Sequence, residues 1–395
     1  MNIDKSRYKM IILFPIIYSL MPRPEFNQGL VGLLFLVPIL LLCIVIYSGK
    51  LYFRSLDKKV ISYFFATAFL YGVSSLINYD NVTIDSLMHI FKPIYFIIIY
   101  IYSISMAEAI DEKVLLKAIL KGAYASMIIQ LFFVLPQLFG KSISGVIYSE
   151  AKTRGLGEIV RVTGTFANPN ILSWFILQFM VVVLILERKQ MRKNLFIAIG
   201  FLIIFLAGSR SILLLSIVFI PIVNLYSYKK IEITKLIKFF VVISFFIFIL
   251  KYMLKNFGEM FPYINEINLI LENKSLENFK SFNTRTDHWQ SMLLSFRNQS
   301  FFFGAGPGVY RVMDNDFLYQ ILNYGAISAT ITIVFYIIIM FYGLLEKDKI
   351  GKIISIFILL MFIVGFQVET FGGWIYPVYT ISLLGIKSRL DNQNY

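Results

Sequence analysis

About twelve long apolar stretches run through this chain of 395 residues, and each is close to the roughly 20 residues that an α-helix needs to cross a bilayer. The stretches are continuous, as at 29–48 and 330–345, whereas the strands of membrane barrels alternate between apolar and polar residues over segments of roughly ten. A continuous apolar segment satisfies its backbone hydrogen bonds within itself only as a helix. The sequence therefore predicts an all-α polytopic membrane protein that forms one transmembrane domain over 1–395.

The composition is typical of an integral membrane protein. The mean hydropathy is +0.74, and 58% of the residues are hydrophobic while only 15% are charged. The first apolar run, Tyr8 to Met21, is followed by many others and has no small-residue cleavage site, so we interpret it as a span and not as a signal peptide. The single cysteine, Cys43, lies within an apolar run, which excludes an intramolecular disulfide and a thiolate metal cluster.

The basic residues fall mainly in alternate loops between the predicted spans, and the positive-inside rule makes those loops cytoplasmic. The predicted spans are 8–21, 29–48, 60–77, 87–106, 114–139, 166–186, 194–208, 211–228, 236–254, 316–344, 350–366 and 370–386. Because Lys5 precedes the first span and Lys387 and Arg389 follow the last, both termini are expected in the cytoplasm. We attribute the net charge of +14 to this topology and expect no nucleic-acid partner.

Two of the loops expected outside the cytoplasm are longer than the others. They are 140–163, and 255–315 between the ninth and tenth spans. Long loops in a compact protein are usually functional. Within the second loop, the apolar spacing predicts a helix from Thr286 through Arg297 with Trp289 and Leu293 on one face.

Arginines on the expected outer side are unusual, since the positive-inside rule disfavours them there. They are Arg154, Arg161, Arg210, Arg285, Arg297 and Arg311. The planar fork of an arginine pairs bidentately with phosphate oxygens, so an anionic lipid headgroup, above all a pyrophosphate, would suit several of them. Arg210 lies in a very short turn between two spans, which keeps it close to the helix bundle. The alternative is that long loops escape the rule and that these arginines pair with carboxylates or lipid.

Capping residues begin three of the spans that start at the expected outer side. Asn168 with Pro169, then Ser209, and finally Asp314 or Asn315 fit N-cap and first-turn positions. A helix N-terminus carries about half a positive charge, and such ends bind phosphate. Ordinary capping is the commoner use of these residue types, and the two roles do not exclude each other.

Several short motifs follow one another between about Val162 and Gly325. They are Gly-Thr-Phe-Ala-Asn-Pro-Asn at 164–170, which ends in Asn170, Gly-Ser-Arg-Ser at 208–211, the segment from Arg285 to Trp289, Phe-Gly-Ala-Gly-Pro-Gly at 303–308, Asp-Asn-Asp-Phe-Leu at 314–318 and Asn-Tyr-Gly at 323–325. Their order and spacing resemble the O-antigen ligase and polysaccharide polymerase superfamily, which includes the Wzy-type polymerases. The resemblance implies an all-helical, metal-independent glycosyltransferase without a cofactor. It also implies an undecaprenyl-pyrophosphate-linked glycan as donor and acceptor, outside the bacterial cytoplasmic membrane, and a chain-length regulator and a flippase as partners.

One departure from the family pattern favours a polymerase. The ligases carry a histidine followed by Asn or Ser just before the span after the long loop, whereas this sequence has Asp314-Asn315 there. The resemblance is therefore closest to a polymerase that joins repeat units into O-antigen, capsular or exopolysaccharide chains. A ligase that transfers finished polymer to an acceptor stays the alternative.

The implied reaction needs a stabilised leaving group and a base. The candidates for binding the pyrophosphate are Arg210, Arg285, Arg161, Arg154 and Lys92. Asp314 is the first candidate base, Asp316 the second, and His288 the third. Direct displacement with one base inverts the anomeric centre, and no second carboxylate is evident as a nucleophile, so inversion is expected. Lys92 either faces the headgroup or extends its ammonium outward to the membrane surface.

A transporter, such as a flippase for lipid-linked sugars, is the alternative from a different class. Transporters usually place their charged residues near the bilayer midplane and lack one dominant outer loop. This sequence has few charges within its apolar stretches and one long outer loop. The asymmetry favours the glycosyltransferase.

Overall fold

The computed structural model describes residues 2–20, 53–81, 83–108, 110–139, 161–166, 168–226, 280–297, 299–310, 315–345, 348–366, 370–371, 373–374 and 376–390. No β-strand forms among these residues, so the predicted all-helical fold class is confirmed. The helices are α1 (Asn2–Leu20), α2 (Ser55–Ile77), α3 (Ile84–Ala107), α4 (Glu112–Gln137), α5 (Pro169–Leu186), α6 (Gln190–Ala207), α7 (Arg210–Tyr226), α8 (Lys280–Phe296), α9 (Asp316–Leu345), α10 (Lys349–Val364) and α11 (Val378–Leu390).

Among the described helices, six segments are long and apolar enough to cross a membrane. They are Ser55–Ile77, Met88–Ala107, Glu112–Gln137, Pro169–Leu186, Gln190–Ala207 and Asp316–Leu345. The predicted spans 29–48 and 236–254 lie outside the described residues, as do most of the loop 140–163 and part of the loop 255–315. The total of about twelve spans and the placement of the loops stay predictions.

The last predicted span, 370–386, is wrong in its first half. The described residues before Val378 form turns and bends, and α11 continues past the predicted end to Leu390. Gly373 disfavours a helix in this segment because glycine loses the most backbone entropy on folding. Pro377 suits the residue just before a helix, since a proline is tolerated only near the first turn.

Contacts group the chain into two compact units. The first unit contains Met1–Ile11, Phe35–Leu115 and Arg285–Tyr395, and the second contains Ile12–Leu34 and Leu116–Thr284. In the first unit, α11 packs against α3, and α9 packs against α10 and α2. In the second unit, α5 packs against α6 and α7.

Small residues let the helices of the first unit approach closely. A Cβ atom added to Gly385 on α11 would lie only 2.7 Å from the carbonyl oxygen of Tyr100 on α3. One turn away, the hydroxyl of Ser103 donates a hydrogen bond to that of Ser382 at 2.8 Å. Such contacts are typical of helices that pack within membranes, where burial of apolar surface does not drive association.

Charged side chains at the end of α11 are buried and paired. Arg389 contacts Asp57 through Nη1 at 2.9 Å and Glu108 through Nε at 2.6 Å. The ammonium of Lys387 lies 2.8 Å from Asp348 Oδ2. Burying a charge is costly, and an opposite charge close by offsets that cost. The sequence places Lys387 and Arg389 after the last predicted span. In the structure they lie inside α11, and the carboxylates of Asp348, Asp57 and Glu108 neutralise their charges.

Helix α9 is interrupted at Gly325, which has φ 82° and ψ 164°. The interruption leaves backbone N–H and C=O groups of α9 without partners inside the helix. The loop before α9 forms hydrogen bonds with these groups. The N–H of Ala326 donates to the Phe301 carbonyl at 2.9 Å, and the N–H of Ala305 donates to the Leu322 carbonyl at 2.8 Å. Irregular backbone within a membrane protein is tolerated where other protein groups satisfy it. The glycine-rich run before α9 thus completes this helix as well as connecting it to α8.

Candidate functional site

In the second unit, two glutamines of α4 hold the loop that precedes α5. Gln137 Oε1 accepts hydrogen bonds from the N–H groups of Thr163 and Gly164, both at 2.9 Å, and its Nε2 donates to the Gly164 carbonyl at 2.8 Å. Gln130 accepts from the N–H of Thr165 at 3.1 Å and donates to its hydroxyl at 2.8 Å. All of these bonds are buried, so they hold the loop in one conformation. Sequence reasoning missed both glutamines, because nothing in an apolar helix indicates which distant backbone a glutamine binds.

This loop leads into two neighbouring helix N-termini. Asn168 is the N-cap of α5, since its side-chain oxygen accepts the N–H of Asn170 at 2.8 Å and Pro169 follows in the first turn. Ser209 precedes α7, and its carbonyl accepts the N–H of Leu213 at 2.8 Å. The predicted capping positions of Asn168 and Ser209 are confirmed. The hydroxyl of Ser209 donates to the side-chain oxygen of Asn170 at 2.9 Å, so the N-termini of α5 and α7 meet and concentrate positive partial charge.

Two arginines flank the turn between α6 and α7. Arg161 donates through Nε to the Ala207 carbonyl at 3.2 Å and through Nη2 to the Gly208 carbonyl at 3.1 Å. Arg210 is the first residue of α7 and is half-buried. Two of the five N–H groups of the Arg161 guanidinium therefore orient it on the end of α6. The structure brings Arg161, Arg210 and two helix N-termini to one place, and this arrangement suits an anionic ligand.

In the first unit, the residues at the start of α9 are held by structural contacts. Asn315 is the N-cap, because its side-chain oxygen accepts the N–H of Leu318 at 3.1 Å. The carboxylate of Asp316 is buried, and it accepts hydrogen bonds from the Thr370 hydroxyl at 3.0 Å and from the N–H of Phe371. These contacts tie the start of α9 to the segment before α11. Two predicted site residues lie outside the described residues: Asp314 and Arg154.

The helix predicted in the long loop is confirmed as α8, with one correction to its packed face. Trp289, Met292 and Phe296 pack against or within a buried cluster of mainly aromatic residues of the first unit. Leu293, predicted on the same face as Trp289, is 47% exposed. Trp289, Met292 and Phe296 are three and then four residues apart, which is the helical period, so they form one face of α8. Leu293 lies at the edge of that face.

Helix α8 packs the indole of Trp289 against this cluster and carries Arg285 one turn earlier. Arg285 is half-buried and lies four residues before Trp289, so the two side chains share a face of the helix. The Nε1–H of Trp289 is buried and has no hydrogen-bond acceptor among the described residues. His288 is exposed. The third candidate base therefore lies on the solvent-accessible side of α8.

A group of polar and aromatic side chains inside the first unit was not predicted. We call it the Lys92 cluster, and its members are His89, Lys92, Tyr319, Tyr324 and Trp374. The hydroxyl of Tyr324 lies 3.0 Å from His89 Nδ1, 3.4 Å from Lys92 Nζ and 3.3 Å from the Tyr319 hydroxyl. Lys92 is only 2% exposed, and its ammonium lies 5.3 Å from the ring centroid of Trp374. Cation–π contacts stabilise this burial, so the alternative in which Lys92 extends to the membrane surface is wrong.

Residues 195–330 match the protein family described as O-antigen ligase. The matched region runs from α6 into α9, and it includes Arg210, Arg285 and the Asp-Asn-Asp sequence at 314–316. His89 and Lys92 lie outside it. No curated protein matches the chain.

Proposed function

We propose, from the place of this chain in the O-antigen ligase and polysaccharide polymerase superfamily, that it is a polysaccharide polymerase. The match to this family supports the coarser statement that the protein is a membrane enzyme that transfers glycans from lipid-linked substrates. The finer proposal is that the protein joins undecaprenyl-pyrophosphate-linked repeat units into O-antigen, capsular or exopolysaccharide chains. It acts in the bacterial cytoplasmic membrane, with a flippase that supplies the units and a chain-length regulator as partners.

The observation that carries this proposal is the turn between α6 and α7. Arg161 and Arg210 stand there beside the N-termini of α5 and α7, where positive partial charge and planar guanidinium donors suit a pyrophosphate. Arg154 and Arg285 are the further arginines that the sequence offers for binding a pyrophosphate. Lys92 is buried, so it adds positive potential to the first unit and makes no direct contact in this proposal.

The reaction is a direct displacement at the anomeric carbon of the donor. The acceptor hydroxyl oxygen forms a bond to that carbon, while the bond from the carbon to the pyrophosphate oxygen breaks. Undecaprenyl pyrophosphate leaves with the electron pair, and the arginines stabilise its developing charge. The hydroxyl proton passes to Asp314, the first candidate base. One displacement inverts the anomeric configuration.

The sequence at 314–315 supports one of the two reactions known for the superfamily. Asp314-Asn315 stands where a ligase has histidine followed by Asn or Ser, and Asn315 is the N-cap of α9. A carboxylate just before the cap supplies a base without an imidazole. This difference supports the polymerase over the ligase.

Purified components test the function. The protein in liposomes should lengthen lipid-linked repeat units isolated from a strain that lacks its gene, with no nucleotide and no ion gradient. Transfer of polymer to a lipid acceptor without lengthening would support the ligase. Translocation of the units without a new glycosidic bond would support the transporter and contradict the proposal.

The orientation of the chain gives an independent prediction. A reporter that is active only outside the cytoplasm should be active when it is fused after Lys280, and inactive when it is fused after Lys193 or Lys349, because basic loops stay in the cytoplasm. The activity of each fusion in intact cells is the measurement, and blots for fusion abundance are the control. The reverse pattern would place the arginines on the side opposite to the lipid-linked substrate.

A substitution of Asp314 tests the base. Asp314→Asn keeps the size of the side chain and removes the proton acceptor, so the rate of polymerisation should fall roughly 100-fold to 10,000-fold, while the donor still binds. Asp314→His should retain part of the activity. Asp80→Asn, at an exposed aspartate of the same unit, is the matched control and should polymerise normally. If Asp314→Asn is normal while Asp316→Asn or His288→Ala is inactive, the base has been assigned to the wrong residue.

A further inference from the structure

We propose that His89 and Trp374 form a saccharide-binding subsite, in which His89 Nε2–H donates a hydrogen bond to a glycan oxygen and the Trp374 ring packs against a sugar face. This inference rests on the proposed function, because it takes the glycan of the lipid-linked substrate as the ligand. It adds two side chains outside the region that matches the family. The role is binding and specificity, and the base remains a separate group.

The hydrogen bonds of the Lys92 cluster decide which nitrogen of His89 carries the proton. Lys92 has three N–H donors and no acceptor, so Tyr324 accepts the hydrogen bond that joins their side chains at 3.4 Å. The nearest acceptor for the Tyr324 proton is His89 Nδ1 at 3.0 Å, which is closer than the Tyr319 oxygen at 3.3 Å. With Nδ1 as the acceptor, a neutral imidazole carries its proton on Nε2. The network therefore assigns His89 as a donor at Nε2.

The same hydrogen bonds fix the direction of His89 Nε2. The hydrogen bonds that His89 makes to described residues all involve Nδ1, with Tyr324 at 3.0 Å and Tyr319 at 3.5 Å. The protein orients the imidazole through Nδ1, and the residue as a whole is only half-buried. A histidine held at one nitrogen by a network presents its other nitrogen in a defined direction. This is the geometry that binding to a fixed substrate group requires.

The aromatic ring next to His89 belongs to Trp374. The half-buried Trp374 ring lies 6.2 Å from the His89 ring, between centroids, and 5.9 Å from the ring of Tyr95. An indole face beside a directed N–H matches a sugar, which has one apolar face of C–H groups and hydroxyls around its edge. The buried ammonium of Lys92, 5.3 Å from the Trp374 ring centroid, favours an electron-rich or acidic sugar oxygen over a cation.

Direct binding tests the subsite separately from turnover. Two ligands are compared: lipid-linked repeat units from a strain that lacks the gene, and undecaprenyl pyrophosphate without sugar. His89→Ala and Trp374→Ala should each weaken binding of the repeat units roughly tenfold, as expected for a lost hydrogen bond or ring contact that leaves a polar group unpaired. Binding of undecaprenyl pyrophosphate should be unchanged. Equal weakening of both ligands would show a phosphate contact and overturn the inference.

Matched substitutions distinguish a donor from a base. His89→Gln keeps an N–H donor near the position of Nε2, so it should recover most of the affinity that His89→Ala loses, whereas Trp374→Phe should keep the ring contact. Tyr324→Phe removes the hydroxyl that orients His89 but keeps a ring to stack on Tyr71, and it should raise KM in the wild-type background. It should have no further effect in the His89→Gln background if Tyr324 acts through the imidazole. A loss of kcat by 100-fold or more in both His89 variants would identify a base and overturn the inference.

The control is Tyr63→Phe. This substitution removes a hydroxyl that lies outside the Lys92 cluster and is hydrogen-bonded to Thr332 at 3.3 Å. The Tyr63→Phe protein should bind the repeat units and polymerise them as the wild type does. The thermal midpoint of each purified variant shows whether a loss of binding comes from unfolding. If the wild-type protein binds the repeat units but does not lengthen them, the proposed function fails while the binding result still tests the subsite. Unchanged binding by folded His89→Ala and Trp374→Ala would reject the subsite even where polymer is formed.

Discussion

Replacing Arg210 with alanine should reduce polymer formation below detection while the protein still accumulates in the membrane. Arg210 is the first residue of α7, and a positive side chain at a helix N-terminus is unfavourable to the helix dipole. Its removal should therefore not weaken α7, and alanine is the best helix former. A large loss of activity without a loss of folded protein is the result expected for a residue that binds the anionic leaving group.

Two further variants sharpen this prediction. Arg210→Lys should restore only part of the activity, because an ammonium cannot make the forked contact of a guanidinium with pyrophosphate oxygens. Arg188→Ala is the matched control, since Arg188 is exposed and lies beyond the opposite end of α5. Polymer length on gels and protein abundance on blots are the measurements. Polymer of wild-type length from Arg210→Ala would reject the role of this arginine in binding pyrophosphate.

Replacing Gly325 with alanine should prevent the protein from folding stably. The backbone of this residue, with φ 82° and ψ 164°, lies in a region that only glycine adopts readily. An added Cβ would lie 2.1 Å from the carbonyl oxygen of Phe302 and 2.5 Å from the nitrogen of Phe303. The strained backbone alone costs about 1–3 kcal/mol, and the contact with Phe302 also breaks the pairing between the loop and α9.

Gly72→Ala is the control for this substitution. Gly72 lies inside α2, and an added Cβ there would meet no atom within 4 Å. Alanine is favoured over glycine inside a helix by about 1 kcal/mol, so the control should be as stable as the wild type or slightly more stable. The thermal midpoint in detergent and the amount of protein in the membrane are the measurements. Equal midpoints for Gly325→Ala and the wild type would mean that the loop is not essential to α9.

Much of the candidate site in the second unit could be predicted from the sequence. Asn168 and Ser209 occupy the predicted capping positions, and Arg210 lies in the predicted tight turn. These features depend on residues within one helical turn of each other, and local hydrogen bonds and backbone preferences decide them. The contact between the N-termini of α5 and α7 was not predicted, because it depends on the hydrogen bond between Ser209 and Asn170, which lie 39 residues apart.

The Lys92 cluster could not be predicted in the same way. His89 and Lys92 stand in an apolar run, where a polar side chain can face lipid, the membrane surface or another helix. Their partner Tyr324 is 235 residues from His89 along the chain. Only the packing of the helices decides which of these environments each side chain occupies.

The amino-acid sequence alone indicates an all-helical membrane protein, the helix starts and the family motifs, because hydropathy, capping and turn chemistry act over a few neighbouring residues. The burial of Lys92, the pairing of Gln137 with the loop before α5, and the insertion of the loop before α9 at Gly325 follow from contacts between distant segments. The same kind of contact places Arg389 inside α11 beside Asp57. A polar group leaves water only where a distant partner satisfies it, and that partner is known only from the packed structure.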